Sequence, residues 1–397
     1  MTTTVPCSLK PSASDRGLEA LKALLVDGLA RERGQPPPSD GRWCEGAGEE
    51  LLAAIQRQRL VCVLQADPVL AERLPLLQPR LTQMARQEIR RALALVSLTR
   101  QIARLFDQAA IPMLVLKGIP LALQTTGSLV GRGGGDLDVW VDARQLPQAV
   151  ALLHHSGFAV SGGASPHADA SLFGRYSRWV DYELSLNRQQ PHGREWIDLH
   201  WRLSCVNEGL PSFAEAYRDR QILLINQQPV ATLNPTTAFV HACAHAAKDN
   251  WLYLRNLVDI ERLARPLSVA QRQQLRRHKL VRWSSLVSYA ATAAPHLLLL
   301  CETLPPGARA RLERQADHFQ RLQGRSLGPD GWTVGSRLRW ALHILALSKR
   351  PADWFPQLVR NLITPADLID IQSGTYRSIP DLVRWRWRKL SRRLSGD

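Results

Sequence analysis

Aromatic residues are scarce at 6% of the chain, although Trp accounts for 12 of them. Cysteine is sparse too. Cys7, Cys44, Cys62, Cys205, Cys243 and Cys301 are scattered, none forms a Cys-x-x-Cys pair, and the spacings fit no zinc motif. That excludes a disulfide scaffold and a zinc ribbon, and the pattern reads as reduced thiols in a cytoplasmic protein. The opening MTTTVPCSLKPSASDRG has no apolar run after its lysine, so no signal peptide is expected. The most apolar stretch, Leu286 to Leu304, is interrupted by Pro295, His296 and Glu302. It predicts a buried core helix, not a membrane span. Two chemical signatures are also missing. Gly131-Arg-Gly-Gly-Gly135 precedes a strand, so it is not a dinucleotide fingerprint, and His241-Ala-Cys-Ala-His245 lacks the glutamate of the zinc-peptidase motif.

What the chain does have is apolar mass and positive charge. Hydrophobic residues make up 45% of 397, enough for a large core and for two or three domains. Lys and Arg number 51 against 35 Asp and Glu, a net charge of +16. Such an excess favours polyanionic partners: nucleotides, nucleic acid or anionic lipid. The Arg residues are spread over the whole chain, so a general compositional bias accounts for the excess equally well.

Periodicity divides the chain into three blocks. Residues 1–110 read as an N-terminal helical region, with helical spacing in Leu18–Arg31, Glu49–Arg59 and Leu81–Ala110. Residues 111–232 read as an α+β core with a mixed sheet. There the apolar run Pro112–Lys117 predicts a buried strand, Ile119–Thr126 a short helix and Asp136–Asp142 an alternating strand. Leu146–Ser156 follows as a helix, and Gly157–Val160, Tyr182–Leu186 and Trp196–Trp201 as further strands. Residues 233–397 read as a C-terminal helical domain, with candidate helices at Thr236–Lys248, Trp251–Leu263, Val269–Arg277, Trp283–Leu300 and Val334–Leu347. Pro351–Pro380 is broken by prolines.

The strongest chemical signal is Asp136-Leu-Asp138 inside an apolar strand. Residues i and i+2 of a strand share a face, which sets two carboxylates about 7 Å apart along it. Like charges so placed repel and raise each other's pKa unless a cation sits between them, and Mg²⁺ is commonly held by such a pair plus phosphate oxygens. Lys117-Gly118 at a strand end and Arg132 in the glycine turn supply backbone access and positive charge suited to phosphates. Asp198, flanked by Ile197 and Leu199, is the candidate third carboxylate, since an unpaired charge there would be costly. A buried arginine would satisfy it as well. His200, two residues on, suits either a phosphate contact or a hydrogen bond that orients a carboxylate. His245 and Lys248 share a predicted helix and suit phosphate binding; the alternative is ordinary packing.

Leu116-Lys-Gly-Ile-Pro-Leu-Ala, Gly131-Arg132 and Asp136-Leu-Asp-Val-Trp-Val141, followed by Asp198-Leu-His-Trp201 and the helical His241–His245 with Lys248, Trp251 and Asp259, occur in this order. Together they resemble the uncharacterised bacterial nucleotidyltransferase family of the polymerase-β-like superfamily, over roughly residues 80 to 265. The resemblance implies a nucleotidyltransferase-fold mixed sheet with metal carboxylates at Asp136, Asp138 and Asp198. It departs from better-known members in having Lys117-Gly118-Ile119 where they carry Gly-Ser, and in having 17 residues between Gly118 and Asp136.

The expected reaction is Mg²⁺-dependent (or Mn²⁺-dependent) transfer of a nucleoside monophosphate from an NTP to an acceptor hydroxyl on a small molecule, protein or RNA. Phosphate transfer on the same metal platform, and a non-catalytic module for an anionic or peptide partner, are the alternatives. The tail Arg384-Trp-Arg-Trp-Arg-Lys-Leu-Ser-Arg-Arg-Leu394 suits an anionic surface, or a terminal amphipathic helix packed on the body.

Overall fold

The computed structural model describes residues 13–39, 48–65, 70, 72, 75–161, 172–191, 193–207, 209–324, 334–362 and 384. The readings of the first twelve residues, of Cys7 and Cys44, of 363–380 and of the tail after Arg384 lie outside the described residues. The fold is α+β with a mixed sheet, as the periodicity predicts. It divides into two compact units. One takes in the chain up to Thr99, Lys117–Gly135 and Leu233–His343; the other takes in Arg100–Leu116, Asp136–Thr232 and the chain from Ile344 on.

The second unit holds the sheet. Its strands are β1 (Met113–Val115), β2 (Leu137–Val141), β3 (Ala159–Val160), β4 (Glu183–Gln190), β5 (Gly193–His200), β6 (Gln221–Ile225) and β7 (Gln228–Thr232). They form one seven-stranded sheet in the order β3-β4-β5-β2-β1-β7-β6. The centre is fully apolar or covered: every residue of β1 and β2 is buried. β2 runs antiparallel to β1 and parallel to β5, while β1 and β7 are parallel. β4 and β5 make a long antiparallel pair from Glu183↔His200 to Gln190↔Gly193. The expected strands Tyr182–Leu186 and Trp196–Trp201 are therefore the inner ends of longer ones. Their outer halves, Asn187–Gln190 and Gly193–Glu195, are polar and lack the apolar alternation that marks a half-buried strand.

The hairpin β6–β7 turns at Asn226 and Gln227, both with positive φ (45° and 65°), the conformation a tight two-residue hairpin needs. Sequence reading did not find it, because Gln227 is not a usual residue for that conformation. The helix Leu146–His155 buries Leu146, Ala149, Val150 and Leu153, a stripe at helical spacing.

The first unit is helical, and no strand precedes Met113 among the described residues. Asn234 caps Pro235–Lys248 by accepting from the Thr237 amide. That helix stops at Asn250 and Trp251, both left-handed (φ 53° and 54°), so the next helix begins at Leu254 and not at Trp251. Trp251 is buried and its indole N–H donates to Ser284 Oγ at 2.9 Å, whose hydroxyl donates to the Cys243 carbonyl at 2.7 Å. The expected helix Trp283–Leu300 is also corrected. Lys279–Thr292 ends at left-handed Ala293 (φ 50°), and a 3₁₀ turn Pro295–Leu297 leads into Leu298–Cys301. Pro295 offers no amide to the preceding turn and disfavours helical geometry at Ala294, so one apolar run becomes separate pieces. Among the described residues, no helix is long and apolar enough to cross a membrane.

Candidate active site

The parallel pairing of β2 with β5 sets Asp138 beside Asp198 and Trp140 beside His200. Because strand side chains alternate, this register brings both acidic residues to one face. Asp136 precedes the strand by one residue and joins them. Asp136, Asp138 and Asp198 each offer a carboxylate oxygen, and these oxygens lie within 4.8 Å of one another. Asp138 is buried at 2% exposure, Asp198 half-buried and Asp136 exposed.

Two unit charges at that separation repel by about 3 kcal/mol at an effective dielectric of 20. Burial pushes the Asp198 carboxyl up to about 6, reinforced by the charges of Asp138, Glu183 and Asp136; a hydrogen bond from Ser185 works in the opposite direction. Convergent carboxylates of this kind fit a hard divalent cation, whose charge removes the repulsion.

His200 is buried at 2% exposure, and its Nε2 lies 3.1 Å from Asp138 Oδ1 and 3.4 Å from Glu183 Oε2. Its Nδ1 is buried without a hydrogen-bond partner. Nε2–H donates to the Asp138 carboxylate, so of the two roles expected for His200 the geometry favours orienting a carboxylate. Glu183 and Ser185, on β4, are the residues that sequence reading missed. They stand directly opposite His200 and Asp198 in the β4–β5 register, and Ser185 Oγ donates to Asp198 Oδ1 at 2.5 Å. The one available signal was the alternation in Tyr182–Leu186; it gives a face but not a register.

The cationic residues expected to serve phosphates belong to the helical unit and form a cluster there. Gly118 has φ 65° and ψ −121°, open essentially to glycine alone, and starts the helix Ile119–Thr126. Lys117 Nζ lies 3.3 Å from His245 Nε2. Burial, then the charges of Lys117, Lys248, His241 and Arg132, holds His245 well below the usual imidazole range. The ring is thus neutral and accepts from the Lys117 ammonium. Its Nδ1 lies 3.6 Å from Asp249, and Lys248 lies 3.8 Å from the same carboxylate.

Arg132 is placed differently from the expectation. It is buried at 6% exposure, and its Nε lies 3.0 and 2.9 Å from the two oxygens of Asp259, with Nη2 2.8 Å from Oδ2. Its guanidinium is committed to a buried carboxylate 127 residues away, a partner that spacing along the chain cannot reveal.

The model of a family described as uncharacterised nucleotidyltransferases matches residues 47–298. The chain belongs to this nucleotidyltransferase family. The matched stretch contains all three carboxylates, the Lys117–His245 pair and the Arg132–Asp259 pair. Among solved structures, the chain is similar to an antigenic nucleotidyltransferase-like protein from Paracoccidioides brasiliensis, at 14% identity over 58% of this chain and 92% of that one, with a TM-score of 0.31. No curated protein matches the chain.

Proposed function

We propose that this member of the nucleotidyltransferase family transfers a nucleoside monophosphate from an NTP to an acceptor hydroxyl, with Asp136, Asp138 and Asp198 holding Mg²⁺ or Mn²⁺. The observation that carries the proposal is the side-by-side register of Asp138 and Asp198 on parallel strands, which brings three carboxylates within 4.8 Å. When bound there, a divalent ion supplies charge neutralisation and Lewis-acid polarisation of phosphate oxygens.

The rest falls to the protein's own side chains. In the reaction the acceptor oxygen bonds to the α-phosphorus, the bond from that phosphorus to the bridging oxygen breaks, and pyrophosphate leaves. The acceptor's proton goes to a base. Asp198 suits that role as the half-buried carboxylate of the trio, held through one oxygen by Ser185. His200 keeps the Asp138 carboxylate turned toward the trio. Lys117 and Lys248 have the chemistry to receive phosphate oxygens, with His245 holding Lys117. Arg132 serves through Asp259, fixing its own loop. Among the described residues the thiols of Cys62, Cys205, Cys243 and Cys301 are buried, which suits a reducing cytoplasmic setting.

The test is incubation of the full chain with Mg²⁺ and NTP labelled at either the α or the γ phosphorus, across acceptor mixtures of protein, RNA and small metabolites. Label from the α position alone, retained on the acceptor and lost in Asp138→Ala, is the expected result. Label from the γ position would replace the reading with phosphate transfer. Failure to bind Mg²⁺ and NTP at all would leave only a non-catalytic module.

A further inference from the structure

We propose that Ser185 is a positioning residue for the cation site, fixing the Asp198 carboxylate from the neighbouring strand. The inference rests on the metal-site reading above and adds a residue that no motif marks. Three acidic side chains held within 4.8 Å repel one another, and without restraint they would rotate apart whenever no cation is bound. The protein opposes that rotation with hydrogen bonds from outside the trio.

Asp198 lies directly across the β4–β5 pair from Ser185, whose single hydroxyl proton is donated to Oδ1 at 2.5 Å, the short range of bonds to a charged oxygen. Asp138 is held in the same way from the strand carrying Asp198, by His200 Nε2 at 3.1 Å. The two donors differ in surroundings. His200 is enclosed and lies against the ring of Tyr182, with centroids 6.0 Å apart, so it also fills space. Ser185 is half-buried and small, and its hydroxyl is its main contribution. Its effect is therefore separable from packing. A hydrogen bond that fixes a metal-ligating carboxylate typically accounts for about 10- to 100-fold in metal affinity.

The experiment uses Ser185→Thr and Ser185→Val, two side chains of equal shape and strand preference that differ in the hydroxyl. Mn²⁺ affinity of the full chain is measured by electron paramagnetic resonance and calorimetry, with no NTP present, alongside thermal melting. The expected result is that Ser185→Thr stays within about threefold of wild type while Ser185→Val weakens Mn²⁺ by about 10- to 100-fold at similar melting temperature. If Ser185→Val does not fold, Ser185→Ala takes its place with the same expected loss. Equal Mn²⁺ affinity in the hydroxyl and methyl variants would overturn the role of Ser185 and leave the metal site standing. Absence of Mn²⁺ binding in wild type would overturn both.

Discussion

At the residue scale, the energetics of the site are set by charges held closer than they would choose. Asp198 shows this most directly. Its carboxyl is raised to about 6, so between the unfolded value near 3.8 and that point the folded protein keeps a proton that the unfolded chain has released. Stability of the metal-free protein thus falls as pH rises through this window and is flat above it. Asp198→Asn removes the penalty. In EDTA at pH 7 the variant should be more stable than wild type by on the order of 1–2 kcal/mol, and at pH 3.5 the difference should vanish. Added Mg²⁺ should reverse the order at pH 7, since only wild type keeps all three ligands. Thermal melts at the two pH values, with and without the ion, decide the matter; a variant no more stable than wild type in EDTA would show that the carboxylates are not crowded.

Lys117 supports a second residue-scale prediction. Its ammonium is held by a neutral imidazole, and if Lys117 receives a phosphate oxygen as proposed, Lys117→Ala should raise KM for NTP about tenfold or more, with the metal affinity unchanged. Steady-state kinetics together with Mn²⁺ titration separate the two effects.

At the scale of elements, the glycine-rich stretch before β2 is held at its start. Gly131 has no room for a side chain, since an added Cβ would sit 2.8 Å from Thr126 Oγ1, and the next residue, Arg132, is clamped to Asp259. Asp259 lies on the helix Leu254–Ala264, most of which is buried. Breaking a buried ion pair strands the remaining charge, so Asp259→Ala should cost about 3–5 kcal/mol by urea denaturation. A loss under about 1 kcal/mol would mean that solvent reaches Arg132 after all. The helix break at Ala293 gives an opposite case. Its left-handed backbone suits glycine, and Ala293→Gly should stabilise the protein by about 0.5–1 kcal/mol. A destabilised variant would show that the alanine methyl packs more strongly than the backbone strains.

For the whole molecule, the comparison that counts is between the family and the acceptor. Membership of the nucleotidyltransferase family gives the reaction class, and the net charge of +16 is compatible with any anionic substrate. If NTP and Mg²⁺ bind the folded protein, saturating them at a hundred times the dissociation constant should add about 2.7 kcal/mol of stability. Asp136→Ala and Asp138→Ala should abolish the Mg²⁺-dependent part. An unchanged melting curve with every NTP tested would count against the proposed donor.

The sequence alone determined the class of fold and the shared face of two of the three clustered aspartates, because those depend on local pattern. Alternation within Asp136–Asp142 makes a strand, and an i, i+2 pair on a strand shares a face whatever lies beyond it. The third aspartate was legible for a similar local reason, as a charge inside an apolar strand with nothing nearby to balance it. The tertiary structure alone decided the rest, because pairing between strands carries no local signal. Which residue faces Asp198 is a matter of register, and only that register brings Ser185 and Glu183 to the site. The fate of Arg132 likewise turned on Asp259, far along the chain, whose buried carboxylate pairs with its guanidinium.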